Sequence, residues 1–383
     1  MRTHDHDELK ATTDAHLAAR SPTLMPTTWR FDPRIYVDPD HARIEQATVF
    51  DALPLLAAHS SEIAEPHAYV SRSLAGTPVL VVRQPDGSVR AFLNSCRHRG
   101  TEVVWGEGAG CTRRFTCPYH GWTYGTDGRL VGLTTTVGFP DLDRASHGLA
   151  ELPCAERHGL VWVVRQPGGT LDYDASFGAL DEELTAMELG RFVAGPAVEL
   201  TVDANWKLIM DGFLETYHLR FLHAKTLTRI LHGDQAPFQP FGDHSRHVVP
   251  RLSYDGVVHQ HPEDFLTNVL VEYTLFPNTN LMWAIDHFEV YQVEPVGGRP
   301  DRCRVRLTLL VDPATAGCAE RWEKNLEIAQ RVIVSEDFAA ATSIQRALVG
   351  GAAPAQFVLG RNEAPLQHYH QRLDALWSRT RST

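Results

Sequence analysis

Two short stretches decide how this chain is read: Cys96-Arg97-His98-Arg99-Gly100 and, with eighteen residues between His98 and Cys117, Cys117-Pro118-Tyr119-His120-Gly121. Each offers one thiolate and one imidazole. Structural zinc sites usually pair Cys with Cys and His with His. This alternation suits a [2Fe–2S] cluster with two Cys on one iron and two His on the other, an arrangement that raises the cluster's potential. Gly100 and Gly121 let the loop backbones approach the sulfides, and Pro118 stiffens the second loop. Cys111, Cys154, Cys303 and Cys318 have no comparable partner and read as small hydrophobes.

Working outward, residues 45–165 read as an all-β module. Val79–Arg83 and Ser88–Leu93 flank the turn Pro85-Asp86-Gly87. A second hairpin joins Trp122–Tyr124 to Arg129–Val131 across Thr126–Gly128, and the apolar run Leu160–Val164 closes the module before Pro167-Gly168-Gly169. Ahead of it, residues 1–44 read as an irregular arm, with a helical stretch around Asp40 to Ala52. Residues 166–383 read as α+β. Helical patterns fall at Ala179–Met187, Trp206–Phe221 and Ala319–Gln345, and β-rich runs at Leu266–Phe276, Asn280–Val293 and Arg302–Val311. A long C-terminal helix on a curved antiparallel sheet is one physical solution for such a set.

The second constellation is Asp211-Gly212-Phe213-Leu214-Glu215-Thr216-Tyr217-His218, followed by His223. Two imidazoles and one carboxylate make the facial triad that holds Fe(II) with positions left open. Five residues correspond to about 140° around an ideal helix, so His218 and His223 can share a metal only if the helix ends or distorts between them. Glu215 is spaced to accept a proton from the His218 ring nitrogen facing away from a metal. The third ligand must come from elsewhere. Ser335-Glu336-Asp337-Phe338 supplies two candidates, Asp337 and, as the alternative, Glu336. His244, His247, His259, His261 and His287 have no metal spacing and read as surface or core. Stretches 232–247 and 276–283 are expected to line a pocket or its entrance, and Phe213, Phe276 and Trp283 are either lining or core.

The formal net charge of −11 repels phosphate backbones and anionic lipid, which disfavours nucleic acid and acidic membrane surfaces as partners. No apolar run approaches the ~20 residues that span a bilayer. Met1 to Ala18 is polar and does not read as a signal peptide. Six cysteines in 383 residues suit a reducing cytoplasm.

Taken together, these motifs resemble the α subunits of Rieske non-haem iron oxygenases, also called aromatic-ring-hydroxylating oxygenases, over nearly the whole chain. The resemblance implies a Rieske [2Fe–2S] domain followed by a helix-grip catalytic domain. Cys96 and Cys117 would hold one cluster iron, His98 and His120 the other, and His218, His223 and Asp337 the mononuclear Fe(II). It also implies a head-to-tail homotrimer in which Glu215 links His218 to His120 of the adjacent subunit, with Asp211 near the iron but not ligating it. Many members carry Asp where Glu215 stands and Asn where Asp211 stands. The implied chemistry is hydroxylation of a small organic, aromatic or apolar substrate with O2, by monohydroxylation, dihydroxylation or oxidative demethylation. Gly106-Glu107-Gly108-Ala109-Gly110 lacks the spacing of a nucleotide loop. NAD(P)H would therefore be oxidised by a partner reductase, with or without a ferredoxin, and with or without a β subunit on the oxygenase. The other functional class is an electron-transfer protein that uses only the cluster.

Overall fold

A computed structural model describes residues 6–257 and 261–380, and His259 lies outside them. The chain divides into two units, one formed by residues 49–173 and the other by residues 1–48 together with 174–383.

The 49–173 unit is all β apart from short turns of 3-10 helix. A five-stranded antiparallel sheet runs in the order 151–152, 89–93, 77–83, 68–74, 108–111. Two three-stranded sheets complete it: 154–157, 160–163, 55–59, and 114–116, 123–125, 130–132. The Pro85-Asp86-Gly87 turn joins Thr77–Arg83 to Val89–Leu93, with Gly87 at φ +88°. Leu80, Val82, Phe92, Phe115, Tyr124 and Leu130 pack into a core that also takes in Cys96 and Cys117. Both candidate thiols thus sit at the inner end of their loops. Cys303 is buried as expected of a small hydrophobe, but Cys111 and Cys318 are exposed, Cys111 lying at the end of the edge strand Gly108–Cys111.

The other unit is built on a seven-stranded antiparallel sheet in the order 193–202, 303–311, 287–295, 279–283, 269–275, 244–250, 238–241. The run expected at Asn280–Val293 is two strands, because the chain turns back at Ala284-Ile285-Asp286. Helix Trp206–Phe213 packs on strand His287–Pro295 and on helix Asp337–Val349. Asn205 caps it, its side-chain oxygen accepting from the Lys207 backbone N–H at 3.0 Å. The helix stops at Phe213, eight residues short of the expected Phe221.

The long C-terminal helix runs in two segments, Ala319–Ser335 and Asp337–Val349, with Glu336 between them at φ −118°, ψ −71°. A further helix, Ala364–Thr380, lies beyond the expected elements. The N-terminal arm is more ordered than its composition suggests. It carries helix His6–Ala19, and its strand Trp29–Phe31 pairs antiparallel with Phe357–Leu359. The helix expected near Asp40–Ala52 is Pro39–Glu45 followed by a π-helical turn, Gln46–Phe50.

Candidate metal centres

The two Cys/His loops share one backbone plan. The Cys96 carbonyl accepts from the Gly100 N–H at 2.8 Å, and the Cys117 carbonyl accepts from the Gly121 N–H at 3.0 Å. Each Cys N–H in turn donates to a carbonyl five residues on, that of Thr101 or Trp122, both at 2.8 Å. Closing so tight a loop requires positive φ at the glycine, and Gly100 and Gly121 have φ of +82° and +72°. The loops bring His98 Nδ1 to within 3.1 Å of His120 Nδ1. His98 stacks on Trp122 and His120 on Tyr119, which fixes the plane of each ring.

The thiols are buried while the imidazoles lie nearer the surface. Tyr124 Oη is 3.2 Å from Cys96 Sγ and accepts the Arg97 N–H at 2.9 Å. Burial, with the neighbouring Cys96, pushes the Cys117 thiol pKa up, so a thiolate there requires a cation beside it. Partial burial, then His120, holds His98 below its ordinary pKa, which favours the neutral ring that metals bind. The donor set and its geometry fit a two-sulfur, two-nitrogen cluster.

In the other unit, His218, His223 and Asp337 each direct one ligand atom to a common point, all within 4.8 Å of one another. Asp337 Oδ1 is 3.1 Å from His223 Nε2 and 3.5 Å from His218 Nε2. The geometric obstacle posed by their five-residue separation is met by the helix ending at Phe213. His218 stands in a 3-10 turn, His218–Arg220, and His223 in the turns after it.

Behind each imidazole stands a second carboxylate. Glu215 Oε1 is 2.5 Å from His218 Nδ1, and its other oxygen accepts the backbone N–H groups of Tyr217 and His218. Glu336 Oε2 is 2.5 Å from His223 Nδ1 and accepts the Thr226 hydroxyl at 2.6 Å. Both rings therefore turn Nε2 toward Asp337. Successive residues of an ideal helix differ by about 100°, so the break at Glu336 is what lets neighbouring acids serve front and back of one site. With three carboxylates around two imidazoles, burial is outweighed by hydrogen bonds to Asp337 and Glu215, and His218 is pushed up to about 10. Burial would raise the Asp337 pKa, but its hydrogen bonds to His218 and His223 hold it low. Surplus negative charge facing inward fits a cation at this point.

Asp211 is not among the three converging groups. Its carboxylate accepts from Tyr36 Oη at 2.6 Å and pairs with His370 Nε2 at 2.8 Å. Tyr36 and His370 escape a reading of the sequence because they lie 175 and 159 residues from Asp211. The outer role of Glu336 escapes it for another reason, since spacing alone does not separate it from Asp337.

A cavity of about 660 Å³ opens on the triad. Its lining is mainly apolar and includes Leu208, Phe213, Leu227, Ile333 and Phe338. Of the stretches expected to line it, His247 and Met282 do so, while Phe276 and Trp283 are buried core. His287 also faces the cavity, whereas His244 is buried with its Nε2 2.7 Å from the Ser176 carbonyl.

Residues 54–143 match the Rieske [2Fe–2S] domain family, and residues 189–378 match the ring hydroxylating alpha subunit catalytic domain family. The chain belongs to the Rieske ring-hydroxylating oxygenase α-subunit family. Its curated relatives in that family include the chlorobenzene dioxygenase α subunit of Cupriavidus sp. (strain PS12), 37% identical over 49% of this chain and 43% of that one. The carnitine monooxygenase oxygenase subunit of Escherichia coli (strain K12) is 32% identical over 50% of this chain and 51% of that one. The chain thus spans about half the length of the curated relatives it matches. In fold it is similar to a quaternary ammonium Rieske monooxygenase crystallised with an inhibitor: TM-score 0.78, 21% identity, covering 91% of this chain and 95% of that one. Among the described residues, no helix is long and apolar enough to cross a membrane.

Proposed function

We propose that this chain is a terminal oxygenase component that uses O2 and externally supplied electrons to hydroxylate a small organic molecule. The observation that carries this reading is the convergence of His218 Nε2, His223 Nε2 and Asp337 Oδ1 at the wall of an apolar cavity. Two imidazoles and one carboxylate leave metal positions open for O2 and substrate. A protein that only relays electrons through a cluster has no use for this second donor set.

In this reading Cys96 and Cys117 hold one cluster iron, His98 and His120 the other, and His218, His223 and Asp337 the mononuclear iron. When bound, the cluster supplies single electrons and the mononuclear iron supplies reductive activation of O2. The chain's own residues do the rest. Glu215 and Glu336 fix the tautomer and orientation of the imidazoles through their Nδ1 protons. Asp211 holds Tyr36 and His370 beside the site, and apolar side chains around the cavity keep bulk water from the reacting atoms.

Electrons come from NAD(P)H by way of a separate reductase, with or without a ferredoxin; the glycine-rich run 106–110 leads into Gly108–Cys111, an edge strand of the 49–173 unit. The assembly is a homotrimer working in the cytoplasm. Trp105, Tyr119 and Val137 are exposed in the unit that carries the cluster loops, and Tyr217 and Phe221 are exposed beside Glu215 and His218, as surfaces that meet in an oligomer would be.

Metal counting tests the assignment. The reconstituted protein should hold about three irons per chain, and Asp337→Ala about two, with the reduced-cluster paramagnetic signal unchanged. Supplied with a reductase and a substrate panel, the intact protein should yield oxygenated product by mass spectrometry. If Asp337→Ala retains the third iron, or if metal-replete protein oxygenates nothing, the reading fails.

A further inference from the structure

The sheet gives the cavity a polar strip that oxygen activation does not require. His247 faces Glu272 in register, Glu272 faces Met282, and Met282 faces Glu289, and all four side chains line the cavity. Glu272 already has a partner, since Asn280 Nδ2 donates to it, while His247 Nε2 lies 2.9 Å away without the alignment of a hydrogen bond. Glu289 is only half satisfied. Its Oε2 accepts the Tyr291 hydroxyl, while Oε1 stands 3.7 Å from His287 Nε2, beyond hydrogen-bond reach.

His287 is held as a fixed partner across that gap. Its side chain is 8% exposed, its ring lies 5.3 Å from the Trp322 ring, and its Nδ1 is 2.8 Å from Asp286 Oδ1. Asp286 is itself paired with Arg321. The turn leading into His287 places Ile285, a β-branched residue, at φ +74°, a strained conformation that persists only where the surroundings impose it. His287 Nε2 is buried with no hydrogen-bond partner, although the residue lines the cavity. Buried polar atoms are nearly always paired, with protein, water or ligand.

We infer that His287 Nε2 and Glu289 Oε1 form a subsite that receives a hydroxyl group of the substrate, so that this enzyme acts on a hydroxyl-bearing organic molecule in preference to a plain hydrocarbon. The Asp286 carboxylate accepts only, so His287 Nδ1 carries a proton. Nε2 then accepts a hydrogen bond from the hydroxyl when the ring is neutral, or donates one to the hydroxyl oxygen when it is charged. In the second case the hydroxyl donates its hydrogen bond to Glu289 Oε1. A hydroxyl pairs with Nε2 in either state and with both atoms in the second, whereas a hydrocarbon pairs with neither. The inference rests on the cavity being the substrate chamber.

Calorimetric titration of the full-length protein, with and without mononuclear iron, with ethylbenzene and 2-phenylethanol tests it. The alcohol should bind at least about tenfold more tightly than the hydrocarbon. Glu289→Leu and His287→Leu should each erase that preference while leaving ethylbenzene binding equal or tighter. Glu289→Gln, which keeps an acceptor oxygen, should retain part of it. Equal affinity for the two ligands in the unaltered protein overturns the inference. So does a parallel weakening of both ligands in the variants, which is what a merely structural role produces, or an alcohol-bound structure with water alone between the two residues. Iron content and the reduced-cluster signal, measured on the same preparations, report separately on the oxygenase reading.

Discussion

Glu215 and Glu336 stand behind the two imidazoles in mirrored fashion, but their surroundings differ. Glu215 is tied to the backbone of its own turn, so it shapes the loop as well as the ring. Glu336 reaches His223 from 113 residues away, with Thr226 as its other partner. Removing its charge should therefore loosen His223 without unfolding the turn. Glu336→Gln is expected to weaken Fe(II) binding by about 10- to 100-fold, the usual effect of losing a partner behind a metal-binding histidine. Chelator competition measures this, and the visible absorption of the cluster should not change. An affinity equal to that of the unaltered protein would mean that the carboxylate behind His223 is dispensable.

At the scale of elements, helix Trp206–Phe213 is anchored to the N-terminal segment by a buried charge cluster. Lys207 Nζ lies 2.5 Å from Glu45 Oε1, Trp206 Nε1 donates to Glu45 Oε2 at 2.9 Å, and His41 Nε2 is 3.2 Å from the same carboxylate. Lys207 and Glu45 are both essentially inaccessible to solvent. Breaking such a pair from one side leaves an uncompensated buried charge, at a cost of about 3–5 kcal/mol. Glu45→Gln should accordingly lower the melting temperature by several degrees, measured by calorimetry. Burial alone would raise the Glu45 pKa, but Lys207 and His41 outweigh it and the pKa is lowered. A depressed carboxylate contributes stability that is complete above its unfolded value. That stability is lost as pH falls below about 4.5 and through the folded pKa, and Glu45→Gln should lack this component of acid sensitivity.

The same scale shows why some elements were legible in the sequence and others were not. The cluster loops could be read because ligands, glycines and closing hydrogen bonds all lie within six residues, and local chemistry determines such a loop. The hairpin at Pro85-Asp86-Gly87 was legible for the same reason. Helical periodicity runs unbroken through Glu336, whose neighbours are all compatible with a helix. The break there follows from tertiary demand, as Asp337 turns inward to two histidines on a distant turn. The stop at Phe213 is similar, because the apolar pattern continues toward Phe221 while the chain departs to place His218 and His223. The strand Trp29–Phe31 was hidden by its shortness and by a partner more than three hundred residues away.

For the whole molecule, the decisive question is which chain's cluster serves which chain's iron. In the head-to-tail trimer that the family resemblance implies, His120 of one subunit would meet Glu215 and His218 of the next. An exposed aromatic such as Phe221, 78% accessible in the single chain, would then be buried on assembly. Placing a charge there should split the trimer, because burying an unpaired carboxylate in an apolar contact is costly. Phe221→Asp is expected to run as a monomer by size-exclusion chromatography with light scattering, with both metal contents intact and coupled turnover lost. Complementation separates this from simple damage. His98→Ala should lack the cluster and His223→Ala the mononuclear iron, so each alone is inactive. Dissociated and reassembled together in equal amounts, they place an intact cluster beside an intact iron only across a subunit boundary, at about a quarter of the sites if mixing is random. Recovered turnover near that fraction means that electrons cross between chains. No recovery, with mixed trimers demonstrated by differential tagging, would mean that each chain reduces its own iron and that the exposed faces serve another purpose.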